Sequence, residues 1–244
     1  MENKKFELTD ETIEYKGRKL HRVRALKDFE CQDRNIKKHD LGGFVETESN
    51  LSQEGNRWIF DDAKVYNNAK VCDNAIVCCA AEVFGYAKVS DNAMILCGAS
   101  VGGHAMIKDC AMVSDNAIVF GESRVGGNAK VFDKARIGGH AKVFGSAEVY
   151  GNARIIDRAR IFGKAEVYGC AEVLGNARVF GNARIFDMAK VYYLAQVCGN
   201  AAICGNVLVG CSTVISIRCF VSSQEDLSEC LELQKTTLKS LYGK

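Results

Sequence analysis

From Ala63 to Val221 the chain sets small and β-branched residues against polar ones in a six-residue period that never slips. Of 27 units, 23 begin with Ala, the exceptions being Ser123, Val207, Thr213 and Cys219, and the third position is Val or Ile in all 27. Positions one and three point to the same side of an extended strand, so the pattern predicts one narrow interior face. Position two, mostly Lys, Arg or Glu, falls on the opposite, solvent side. Positions five and six are commonly Gly or Asp followed by Asn, residues that enter left-handed or turn geometry at low cost. The chain is therefore expected to turn once per unit. Each side spans roughly 20 Å, and successive sides satisfy their backbone by stacking on the next layer, which predicts a solenoid.

The absence of proline points the same way. Average usage would give about twelve prolines, and there are none. Proline has no N–H to give a neighbouring strand, so a chain held almost throughout in two-sided ladders excludes it.

The small-x-aliphatic hexads, as in Ala147-Glu148-Val149-Tyr150-Gly151-Asn152, resemble those of the hexapeptide-repeat proteins. That resemblance implies an all-β fold, a single-stranded left-handed parallel β-helix of about nine 18-residue coils. A small N-terminal β cap (1–56) precedes the β-helix (57–221), and a C-terminal α-helix (222–244) follows it. Tyr or Phe at position four followed by Gly-Asn departs from the acyltransferase pattern, where a small or acidic residue commonly follows the aliphatic. It is closer to the YdcK-like branch. The resemblance further implies a homo-oligomer, a trimer before a dimer, but not a chemistry, because one fold hosts several functions.

At the N-terminal end, apolar runs around Phe6 to Leu8, Ile13 to Tyr15 and Leu20 to Leu26, with Gly17 between the last two, predict an antiparallel meander. Leu41 to Val45 reads as an irregular first coil, with Trp58 and Ile59 closing the open end. At the other end, Ser222 or Ser223 followed by Glu225 and Asp226 marks a helix start. Leu227, Cys230, Leu231, Leu238 and Leu241 then fall on one stripe. This helix is expected to fold back over the outward Leu208, Val214 and Phe220, with a neighbouring subunit as the alternative surface.

With 18 residues per coil, surface columns follow from the sequence. On the second side, position two reads Lys70, Lys88, Met106, Arg124, Lys142, Arg160, Arg178, with Phe144, Phe162 and Phe180 two residues further on. Such a basic stripe beside an aromatic one suits an anion with a flat group, since guanidinium pairs with phosphate and rings stack on bases. The bland alternative is a solvated face amplified by repetition. On the third side Ile76, Met94 and Met112, flanked by Cys78 and Leu96, replace the expected charge, predicting either a subunit interface or coverage by the N-terminal module. On the first side position six reads His104, Glu122, His140, Arg158, around Phe120 and between Gly102 and Gly138. Missing side chains on either side of Phe120 are expected to leave a slot, whose histidines can act as general bases with Glu122 as orienting carboxylate. Against this, position six is a turn position that tolerates His without a purpose.

Thirty-two Lys plus Arg against 30 Asp plus Glu give a net charge of +2, which argues against long nucleic acid or a membrane surface as partner. No apolar run approaches the ~20 residues of a membrane span. The charged first twenty residues do not read as a secretory signal, so a cytoplasmic protein is expected. The twelve cysteines read as reduced thiols in small sites, and with no C-x-x-C pair no metal is expected. Nucleophile-elbow, P-loop and dinucleotide motifs are absent.

Three functions remain. The favoured one is a non-catalytic, oligomeric module that captures a small anionic ligand such as a nucleotide, without a cofactor. The second is an acyltransferase with acyl-coenzyme A as cosubstrate and His104 or His140 as base at a subunit cleft. It is weakened because the 27 units lack the loop that usually interrupts the coils of such enzymes. The third is a self-assembling scaffold.

Overall fold

The computed structural model describes residues 4–242, with side chains for residues 4–237. The chain divides into two compact units, Met1–Asn128 and Ala129–Lys244. Both are parallel β-solenoids, and the chain makes about ten coils in all.

In the first unit, β1 (Phe6–Tyr15) and β2 (Arg18–Ala25) form the antiparallel hairpin expected from the apolar runs. It turns at Lys16 and Gly17, whose φ angles of 50° and 71° are left-handed. A short second hairpin joins β3 (Phe29–Cys31) to β4 (Arg34–Ile36). Next, β5 (Leu41–Val45) pairs antiparallel with β2 and parallel with Lys64–Val65. It belongs to the irregular first coil, which continues through a parallel bridge of Leu51 to Val71 and through β6 (Trp58–Ile59), parallel to Ile76–Val77. The β1–β2 hairpin thus covers an edge of the solenoid that would otherwise offer unpaired N–H and C=O groups. Asn50, fully buried, completes this end by donating its amide to the carbonyls of Asn67 and Ala69 at 2.8 and 2.9 Å.

Regular coils follow with an 18-residue register. Lys64 faces Glu82 and Glu82 faces Ser100; Lys70 faces Lys88; Ile76 faces Met94. The first-position alanines and third-position valines and isoleucines are buried, as the alternation demands. Fifth-position residues take the left-handed turn, among them Asp73, Asp91 and Asp109 with φ of 57–60°. Each such carboxylate accepts the N–H one coil on, as Asp109 does from Gly127 at 2.8 Å. Positions two, four and six donate to the next coil, for example Lys142 to Ala159, Phe144 to Ile161 and Ser146 to Gly163. This is why proline is excluded.

The N-terminal module answers the question raised by the third side. Phe29 meets Trp58 edge-on at 5.4 Å, Gln32 donates to the Asn74 carbonyl at 3.1 Å, and Arg34 lies over the Phe60 ring. Ile76 and Cys78 are accordingly buried without any second subunit, while Met94, Leu96 and Met112 remain half-buried.

The second unit repeats the same coil and ends in α1 (Gln224–Tyr242). Ser223 is the helix cap: its Oγ accepts the Asp226 N–H, and Asp226 accepts the N–H of Ser223 in return. Leu227 and Cys230 are buried, whereas the side chains of Leu238 and Leu241 lie outside the described residues. The helix folds back within its own unit but differs from expectation in what it covers. It seals the backbone edge of the last coil and leaves Leu208, Val214 and Phe220 exposed. Among the described residues no helix is long and apolar enough to cross a membrane.

Candidate functional site

Five second-side hexads of the second unit, beginning at Ala141, Ala159, Ala177, Ala195 and Thr213, contain five cations and no carboxylate. The cations are Lys142, Arg160, Lys164, Arg178 and Arg218. The ladder sets Lys142 opposite Arg160 and Arg160 opposite Arg178, a layer spacing of about 4.8 Å. Buried Val143, Ile161 and Val179 alternate with them, which drives the charged heads outward. Two residues along, Phe162 and Phe180 stack with centroids 4.8 Å apart and planes within 2°. The column ends one coil later, where the same position is Cys198.

The first- and third-side columns of this unit carry ion pairs. On the first side Glu172 pairs with Arg154 at 2.8 Å and Lys190 at 2.9 Å, and its carboxyl is held below the ordinary value chiefly by Lys190. On the third side Lys130 pairs with Glu148 at 3.0 Å. Among the described residues no ion pair or side-chain hydrogen bond engages Lys142, Arg160 or Arg178.

Where the second side turns into the third, a groove of about 580 Å³ opens between Lys164, Asn182, Asn200 and Arg218 on one wall and Glu166 and Arg184 on the other. Three cations face one carboxylate there. The asparagines stack one coil apart, Asn182 donating to Asn200 at 3.0 Å. Asn182 is two residues from Phe180, so groove and ring lie within ~7 Å along the chain. The sequence carried a signal for this groove that the column reading passed over. Positions 164, 182, 200 and 218 are one corner column, next to the third-side column that holds Arg184.

A second cavity, of about 400 Å³, lies on the first side of this unit between Leu174, Tyr192, Tyr193 and Leu208. Its carboxylates are already used: Asp157 accepts the Gly175 N–H at 2.9 Å, and Glu172 is doubly paired. It suits an apolar group rather than an anion.

The first-side residues predicted from sequence divide between the units. His104, Phe120 and Glu122 belong to the first, together with Arg124 of the basic stripe; His140 and Arg158 belong to the second. The His104 ring stacks on Tyr86 at 4.7 Å with planes within 1°. A Cβ on Gly102 would stand 2.5 Å from Cζ of Phe84. The space beside Gly102 is therefore filled by the Phe84 ring, which closes the Gly102 side of the expected slot. Phe120 is 42% exposed. His140 and Arg158 are exposed turn residues whose backbone N–H groups serve coil stacking, to Asp157 at 2.6 Å and Gly175 at 2.8 Å.

A polar network in the first unit is the other concentration of titratable groups. Glu82 accepts hydrogen bonds from Tyr15, from Lys16 at 2.7 Å and from Tyr66 at 2.9 Å. Burial raises its carboxyl, but these three bonds outweigh that and hold it below the ordinary value. Burial and Glu82 together push the Tyr66 phenol to about 12. Three of the carboxylate's about four acceptor sites are taken, so the network fastens the β1–β2 turn to the coils. No protein-family model matches the chain, and no curated protein is significantly similar to it.

Proposed function

We propose that this protein is a non-catalytic binding module that captures a small anionic ligand with a flat group, of the nucleotide class, on the second side of its Ala129–Lys244 unit. The observation that carries the reading is the carboxylate-free face, with Lys142, Arg160 and Arg178 one coil apart and, among the described residues, without ion-pair partners beside the Phe162–Phe180 stack. The phosphate end is received in the groove by Lys164, Arg184 and Arg218, where guanidinium forks match phosphate oxygens. The flat group extends the ring stack over the small Cys198. A site built on rigid ladders loses little conformational entropy on binding.

Self-association belongs to the same reading. Leu208, Val214 and Phe220 stay 46%, 39% and 63% exposed at the last coil, and a second copy of the chain would cover them.

The test is a thermal-shift series with ADP, pyrophosphate and acetyl-coenzyme A. ADP at 100 times its dissociation constant should add about 2.7 kcal/mol to the unfolding free energy. Pyrophosphate, lacking the flat group, should bind more weakly. Arg160→Ala and Arg184→Ala should each abolish the shift, and His104→Ala with His140→Ala should leave it intact. The reverse pattern overturns the site, and acyl transfer from acetyl-coenzyme A overturns the non-catalytic reading.

A further inference from the structure

We infer that Asp61, Cys78 and Cys79 form a binding site for a thiophilic divalent cation of the Zn²⁺ or Cd²⁺ class, separate from the anion face. Among the described residues this is the one group in which three His, Cys, Asp or Glu side chains each bring a donor atom within 4.8 Å of the others.

The repeat builds the site. Cys78 and Cys79 occupy positions four and five of a third-side hexad, where the chain enters its turn, and Cys79 is left-handed with φ of 61°. That turn folds the two neighbouring thiols together, Sγ to Sγ at 3.3 Å. Asp61 sits in the equivalent turn one coil earlier, φ 55°, and its Oδ2 accepts the Cys79 N–H at 3.1 Å. The same carboxylate-to-N–H bond recurs at Asp73 to Asp91 and at Asp109 to Gly127, where a single thiol adjoins the turn and, among the described residues, no group of three donors converges. The backbone bond therefore fixes the Asp61 carboxylate, and Oδ1 is the oxygen left for an ion.

Two sulfurs and one carboxylate oxygen suit a borderline-soft cation that accepts tetrahedral coordination, with water as fourth ligand. Tetrahedral Zn–S bonds of ~2.3 Å set sulfurs roughly 3.8 Å apart, so the pair need open by only about 0.5 Å. Cys78 is buried and Cys79 exposed, which gives an anchored ligand and an entry side. Binding converts two thiols to thiolates: two metal–sulfur bonds form, two protons leave to solvent, and no oxidation state changes.

The experiment titrates the reduced full-length protein with Cd²⁺, reading the ultraviolet thiolate-to-metal charge-transfer absorption, with Zn²⁺ competing. Wild type and Cys170→Ser, which removes an exposed thiol outside the group, should each show one tight equivalent. Cys79→Ser should lose it, and Asp61→Asn, which keeps the acceptor for the Cys79 N–H, should weaken it about tenfold or more. Circular dichroism of each variant checks that the coils are intact. Absence of a tight equivalent in wild type, or unchanged affinity in Cys79→Ser or Asp61→Asn, overturns the site.

Discussion

Gln234 stands against Ser216 as the third-position residue of one further coil would. Its Oε1 accepts the Ser216 N–H at 2.9 Å, and its Nε2 donates to the Val214 carbonyl at 2.8 Å. Gln224 does the same for both backbone groups of Leu208, at 3.3 Å each. A parallel ladder has no natural last strand, and two carboxamides on one helix supply the peptide groups that the chain stops providing.

Gln234→Ala should therefore cost about 1–3 kcal/mol, the worth of two hydrogen bonds at an edge, read as a lowered urea midpoint. Gln224→Ala combined with Gln234→Ala should also raise the aggregation rate in light scattering, because the open edge becomes a template. Unchanged midpoints would mean that packing of Leu227 and Cys230 alone holds the helix.

Val143 is fully buried and Lys142 points outward, one residue apart. Val143→Asp should abolish folding, since an unpaired carboxylate would enter the interior. Val143→Ile should cost about 1–3 kcal/mol from overpacking. Lys142→Asp should fold normally by circular dichroism and weaken ADP binding.

Buried Lys5 makes stability depend on pH. Its ammonium donates to the carbonyls of Gly55 at 3.1 Å and Arg57 at 2.9 Å, and burial, with the Arg57 cation second, lowers its pKa to about 7. The unfolded value is about 10.4, so above about pH 7 the unfolded chain binds more protons and stability rises with pH, by at most ~1.4 kcal/mol per unit. Burial pushes Cys31 to about 11, and Cys78 and Cys219 to about 12. Above about pH 8.5 the unfolded chain loses thiol protons that the folded chain keeps, which opposes the rise. Urea midpoints should climb from pH 7 to about 8 and fall above about pH 8.5, where three thiols outweigh one lysine. Lys5→Met should remove the climb; a wild-type midpoint that falls from pH 7 to about 8 contradicts the assignment.

Arg57 is 1% exposed, and among the described residues its Nε and Nη2 find no acceptor. Arg57→Met keeps most of the buried volume and removes two unsatisfied donors and a charge, so it should hold or raise stability, by up to about 3 kcal/mol. It should also shift the Lys5-dependent climb to higher pH by removing the cation that opposes Lys5 protonation. A loss of several kcal/mol would mean that Arg57 has an acceptor after all.

Ion pairing at the anion face should be screened by salt. The ADP-induced shift should shrink between 50 and 500 mM NaCl as the Debye length contracts from above ~10 Å to a few Å. A shift insensitive to salt would point to stacking on Phe162 and Phe180 alone.

Ala at position one and Val or Ile at position three determined the coil, its 18-residue register and the outward course of Arg160 and Arg178, because strand alternation and repeat length are local properties of the chain. The basic column and its phenylalanines were legible for the same reason. Three things were decided only in three dimensions. Phe84 stands one coil before Gly102 in the same column, but that its ring leans into the space beside Gly102 is set by packing between layers. Ile76 and Cys78 are hidden by a hairpin some forty residues earlier in sequence, and Gln234 reaches back eighteen residues to close the last second-side strand. The last two contacts join segments outside the repeat to segments within it, and periodicity carries no information about where an aperiodic segment will pack.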